Sequence, residues 1–181
     1  MWEKIESKKL CAGLILKELP AFDSFEKEEK PFTSFPYSIV MTQACDISNY
    51  CNIYDQLTSM EVSNISRQII TQIIFCPAFD EDMFVEGKHL LNQYNYQMDK
   101  ISSKEKEKFK DHQHIRYHYI KSNIEGIPNF FIDFRQYFSA PAKFIMRLVR
   151  EEKNGLYKLD HLHYTDLADR FAHYLQRVAL Q

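Results

Sequence analysis

The chain holds 181 residues with a formal net charge of −2, and 45% of its side chains are hydrophobic against 27% charged. That length suits one well-buried domain, and the composition excludes disorder and fibrous architectures. A near-neutral total excludes a global pull towards nucleic acid or an acidic membrane, although a local basic face can hide beneath it.

Residues 1–9, Met-Trp-Glu-Lys-Ile-Glu-Ser-Lys-Lys, carry charges where a signal peptide would carry an apolar core. No apolar run approaches the ~20 residues of a spanning helix, so no membrane association and a cytoplasmic location are expected. The four cysteines then read as reduced thiols. Residues 14–19 form a short apolar run closed by Pro20, and residues 26–31 a solvated charged loop. Tyr37-Ser-Ile-Val-Met41 restarts a β pattern that stops at Thr42, Gln43, Cys45 and Asp46, side chains able to hydrogen-bond, titrate or act as nucleophiles at a strand end.

A short helix is allowed over 58–67, and residues 68–76 read as a buried strand ended by Pro77. Between Asp80 and His114, Met83, Leu90, Leu91, Tyr94 and Met98 sit at roughly helical spacing, and the charge run at 102–111 reads as a solvated face. That stretch is a helical or mobile insertion. Residues 115–120 alternate like a half-exposed strand; residues 130–138 and 144–149 follow as strands, and Asn154-Gly155 marks a turn. Thr165 offers an N-cap, Asp166 suits the positive helix end, and Leu167, Phe171, Tyr174 and Val178 repeat at helical spacing. The expected fold is a single α+β domain over 1–181: a mainly antiparallel β-barrel, a helical insertion at about 80–114 and a terminal helix at about 165–180.

Candidate chemistry centres on Thr42, Gln43, Cys45, Asp46, Asp133 and Arg135. A carboxylate beside Cys45 raises a thiol pKa, so a catalytic Cys45 needs a His or Arg from elsewhere in the fold. Otherwise Asp46 caps the following turn and Cys45 packs as a small apolar residue. Cys45, Cys51 and Cys76 could join one of His112, His114 or His118 around zinc, but no close cysteine pair is present, and neither a metal nor a cofactor is expected. His161 and His163 could share a face. Asp133 and Arg135, two apart on one strand, would point the same way, either to anchor a phosphate-bearing ligand or as a structural ion pair. If that face receives the end of the 37–41 strand, Thr42, Gln43, Asp46 and Arg135 converge. Arg147, Arg150, Arg170 and Arg177 are expected mostly on solvated faces.

Gly13-Leu-Ile-Leu, a charged loop, Tyr37-Ser-Ile-Val-Met-Thr42 and Ile73-Ile-Phe-Cys-Pro77 together resemble the first half of the MazF/PemK toxin barrel, over roughly residues 11–80. The resemblance implies an SH3-like barrel that dimerises, cleaves single-stranded RNA and is neutralised by an antitoxin. The family places Arg before the proline of the second strand, where Phe35 precedes Pro36, and Thr after the later proline, where Ala78 and Phe79 stand; neither functional residue carries over. Thr42-Gln-Ala-Cys-Asp46 and the closing Arg177-Val-Ala-Leu180 also resemble bacterial proteins of unassigned function that share a T-Q-x-C-D segment and a terminal R-V-x-L helix, a likeness spanning most of the chain. The leading expectation is therefore a bacterial PemK-like binding or effector module in a toxin–antitoxin or phage-defence context, with a protein partner or a second copy of itself. A hydrolase, foremost a ribonuclease, is the alternative, and a structural subunit that offers its terminal helix is the third reading. RNA stays open as a ligand, though the net charge does not point to it.

Overall fold

The computed structural model describes residues 1–5, 8–21, 33–59, 69–90, 95–152 and 156–178. Its strands are β1 (Trp2–Ile5), β2 (Leu14–Ala21), β3 (Thr33–Val40), β4 (Gln72–Asp80), β5 (Tyr117–Ile120), β6 (Phe130–Asp133), β7 (Phe138–Pro141) and β8 (Leu156–Leu159). Every ladder is antiparallel, in the order β1-β8-β2-β3-β4-β6-β5 with β7 beside β4. The expected neighbouring strands are there: β3 pairs β4, with Ile39 opposite Cys76 and Val40 opposite Phe75.

The expected closure into a barrel is not formed, because no ladder joins β1 to β5 among the described residues. The physical reason lies in β3 and β4, which are apolar on both faces. Side chains alternate across a strand, and Ile39 and Val40 are both fully buried. Val40, Ile73 and Phe75 pack with Ile47 and Tyr54 of α1 (Ala44–Ser59) and with Ile145 and Val149 of α4 (Ala142–Glu151). Ile39, Cys76 and Ile132 pack on the other side with Leu167 and Phe171 of α5 (His161–Val178). Helices on both faces favour an open sheet, whereas a barrel shares one inner face.

Strand β4 runs on past Pro77 to Asp80. The bond from Met41 N–H to the Ile74 carbonyl, 2.8 Å, sets the ladder phase, so Ser38 and Pro77 form a non-hydrogen-bonded pair. Proline's missing donor therefore falls on the opposite edge. There the neighbour changes from β7, with Phe138 opposite Phe75, to β6, with Ile132 opposite Ala78, and no ladder bond is sacrificed.

Other expectations shift for local reasons. Residues 130–138 are two strands, because the Asp133 carboxylate accepts the Arg135 N–H at 3.0 Å and opens a 3₁₀ turn over Phe134–Gln136. Residues 144–149 are helical within α4: Ala142, Ile145, Met146 and Val149 are buried at i, i+3, i+4 and i+7. The segment after Thr42 enters α1, with Asp46 in its first turn. Helix α5 begins four residues before Thr165; Asp160 accepts the His163 N–H at 2.9 Å, and the Thr165 hydroxyl donates to the His161 carbonyl inside the helix.

The insertion is helical in part. Short α2 (Glu81–Val85) and α3 (Ser103–Lys110) cover a third core of Phe35, Phe79, Phe84 and Phe131. The charge run is α3, opened by a capping box between Ser102 and Glu105. The 26–31 loop, most of the 58–67 segment, Leu91, Tyr94 and the Asn154-Gly155 turn lie outside the described residues. Among the described residues no helix is long and apolar enough to cross a membrane.

Candidate functional site

The residues expected to form one polar site are held in separate structural roles. Thr42 is buried and its Oγ1 accepts the Ile74 N–H at 2.7 Å, extending the β3–β4 ladder by one bond. Gln43 and Cys45 are exposed at the start of α1. The Cys45 sulfur stands 3.6 Å from Gln43 Oε1 and 3.9 Å from Asp46 Oδ1, and no histidine or arginine contacts it among the described residues. A thiol flanked by acceptors and without a base is not set up as a nucleophile.

Asp133 is fully buried, and its partner is Arg116 rather than the Arg135 side chain. Arg116 Nε donates to Oδ1 at 2.7 Å and Nη2 to Oδ2 at 2.6 Å, a bidentate pair. Those bonds push the Arg116 pKa up against the effect of its own partial burial. The same guanidinium lies over the Tyr117 ring at 4.8 Å. Arg135 contributes only its backbone N–H, and its side chain is exposed. No hydrogen bond or ion pair joins Asp46 to Arg135 among the described residues.

Among the described residues no cysteine joins a histidine in a cluster of metal-ligating groups. Cys51 faces the Leu10 carbonyl at 3.9 Å and the Met146 sulfur at 3.8 Å. Burial pushes the Cys76 thiol well up, with Asp133 adding to it. None of the four cysteines is in a disulfide.

A basic face appears instead on α4. Lys143, Arg147 and Arg150 are exposed at i, i+4 and i+7, opposite the buried Ala142, Ile145, Met146 and Val149. The Arg147 guanidinium stands over the Phe144 ring at 5.9 Å, and Arg150 stands over Tyr54 of α1 at 4.7 Å. Tyr54, Pro141, Lys143, Phe144 and Arg147 line a cleft of about 260 Å³, with no acidic side chain among its described lining residues. Neither Lys143 nor Arg147 has an ion-pair partner among the described residues. Fixed cations beside ring faces suit a phosphodiester strand, whose charge meets the guanidinium and ammonium groups while its bases stack. Reading 144–149 as a strand concealed this stripe; the spacing Ala142-x-x-Ile145-Met146-x-x-Val149 was the signal for it.

A second polar cluster lies where the loop after α3 meets α5. His112 and His118 stack with ring centroids 4.5 Å apart, and His118 Nε2 stands 3.9 Å from Asp166 Oδ2. Arg170 Nη2 donates to the carbonyls of His112, His114 and Tyr117 at 3.2, 3.3 and 3.3 Å, tying loop to helix. Burial, then the neighbouring His112, Arg170 and His163, lowers the His118 pKa to about 3, and burial with Arg170 lowers that of His112. A cleft of about 380 Å³ opens beside them, lined by His112, Ile115, Asp169, Arg170, His173 and Arg177 among others. No protein-family model, curated protein or solved structure matches this chain.

Proposed function

We propose that this chain is a PemK-like cytoplasmic binding or effector module, in a toxin–antitoxin or phage-defence setting, that takes single-stranded RNA along the outer face of α4. The supporting observation is the coincidence on one helix face of Lys143, Arg147 and Arg150 with the rings of Phe144 and Tyr54. Such a face supplies both terms of non-specific single-strand recognition, phosphate neutralisation and ring stacking. It also reconciles an RNA ligand with the net charge of −2, because the cations are concentrated rather than in excess.

The hydrolytic reading has less support: the Thr42 hydroxyl and the Asp133 carboxylate are already engaged in structural bonds, and Cys45 has no base. A structural subunit that offers its terminal helix is also less favoured, since α5 buries Leu167 and Phe171 against its own sheet. A protein partner stays part of the proposal without an assigned surface.

The test is fluorescence anisotropy of a labelled single-stranded RNA over a salt series, with the same samples run on a denaturing gel. Binding should weaken as salt rises, with a log–log slope that becomes shallower by about 0.7 for each of Lys143→Ala, Arg147→Ala and Arg150→Ala, and the RNA should stay intact. Cleaved RNA would move support to a ribonuclease. Absence of binding at low salt would overturn the proposal.

A further inference from the structure

His118 is 3% exposed, yet among the described residues its Nδ1 has no hydrogen-bond partner, and its Nε2 faces Asp166 beyond hydrogen-bond length. His112 Nδ1 is likewise buried without a partner. Buried polar nitrogens are normally satisfied, and two orphans side by side call for a partner that the described residues do not supply. Neutral imidazole is the form that ligates metals.

We propose that His112, His118 and Asp166 form a binding site for a divalent first-row transition ion of the zinc type, with its open side towards the cleft at Asp169, Arg170 and His173. One ligand atom from each of the three side chains lies within 4.8 Å of the others. Around tetrahedral zinc, with bonds of ~2.0–2.1 Å, ligand atoms stand about 3.3 Å apart, so small side-chain rotations complete the set. Two imidazoles and one carboxylate leave a fourth position for water, the pattern of open rather than closed zinc sites. Nitrogen ligands select zinc, cobalt or nickel over magnesium or calcium.

The three ligands come from different elements, and the fold fixes each one. His118 is on β5, against Phe134 with ring centroids 6.3 Å apart. Asp166 is on the second turn of α5. His112 stands at the start of the loop after α3 in a left-handed conformation, φ +57°, where the His112 and Gln113 N–H groups bond the Phe109 and Lys108 carbonyls and close the helix. Arg170 ties that loop to α5 through the three carbonyl bonds given above. Its charge opposes a cation, while Asp111 and Asp166 act on His112 in the opposite sense. The account therefore expects moderate rather than extreme affinity. It stands independently of RNA binding on α4.

The test is calorimetric titration of the full chain, stripped with chelator, with Zn²⁺ alone and with Mg²⁺ alone. One equivalent of Zn²⁺ should bind, Mg²⁺ should not, and His112→Ala and Asp166→Asn should each weaken Zn²⁺ by roughly tenfold or more. Asp166 is exposed, so Asp166→Asn retains the fold. Co²⁺ should give visible ligand-field bands in the wild type that disappear in both variants. Zn²⁺ should raise the Tm of the wild type and not of Asp166→Asn. His163→Ala and Cys45→Ser should bind Zn²⁺ as the wild type does. Absence of stoichiometric Zn²⁺, retention of full affinity in both His112→Ala and Asp166→Asn, or loss of binding in His163→Ala or Cys45→Ser would overturn the site.

Discussion

Removing the Asp133 carboxylate is expected to destabilise the protein far more than removing the side chain two residues later. Asp133 is fully buried and accepts three bonds, at 2.7 and 2.6 Å from Arg116 and 3.0 Å from the Arg135 N–H. Breaking one side of a buried pair typically costs roughly 3–5 kcal/mol, because the surviving charge loses its partner. The Arg116 side chain is 24% exposed and can partly rehydrate, which places Asp133→Ala near the lower end, about 3 kcal/mol. Arg135→Ala keeps the backbone donor and trims an exposed side chain, so its cost should stay within about 0.5 kcal/mol. Urea unfolding with linear extrapolation measures both. In a double-mutant cycle, Asp133→Ala with Arg116→Ala should cost clearly less than the sum of the single variants. A loss below about 1 kcal/mol in Asp133→Ala, or an equal loss in Arg135→Ala, would refute the assignment of Arg116 as the partner.

Ile39→Ala and Ile73→Ala remove fully buried side chains from opposite faces of the sheet, and each should cost about 2–5 kcal/mol by urea unfolding. Burial works to raise the pKa of Glu81, but Lys106, Lys110, Asn129 and Tyr119 bond its carboxylate and bring it from 4.5 down to about 2. A lowered folded value means that the contribution is complete above pH 4.5 and lost as pH falls through 2; across that window the wild type should lose on the order of 3 kcal/mol more stability than Glu81→Gln. Gly87 has φ +70°, and a Cβ there would stand 2.2 Å from the Met98 carbonyl oxygen, so Gly87→Ala should lower stability by about 2–3 kcal/mol; a wild-type Tm would show that the insertion can yield.

What was legible in the sequence followed the strength of its periodicity. The apolar runs of β3 and β4 announced buried strands, and the spacing of Leu167, Phe171 and Tyr174 announced α5. A short run such as Phe144-Ile-Met-Arg-Leu-Val149 carries both periods, and only the flanking Ala142 and the cations at i, i+4 and i+7 decide for a helix. Asp133 and Arg135 looked like a same-face pair because nothing local shows that the strand breaks between them; the break comes from Asp133 capping its own turn. Its true partner, Arg116, lies 17 positions away, beyond the reach of any local pattern. Closure of the sheet was a matter of what covers each face, and that is set by where α1, α4 and α5 dock. The capping box at Ser102 and Glu105, by contrast, was readable and marks where the charge run becomes α3.

If RNA lies along α4, reversing the charge of that face removes its binding. The double variant Lys143→Glu/Arg147→Glu is compared with Lys104→Glu/Lys121→Glu, which makes the same change in net charge at exposed positions off α4, on α3 and just after β5. With one labelled single-stranded RNA at one low salt concentration, the account predicts that the α4 variant loses affinity by roughly tenfold or more while the control stays near wild type. Equal affinity in wild type and α4 variant, or equal losses in the two variants, would contradict it.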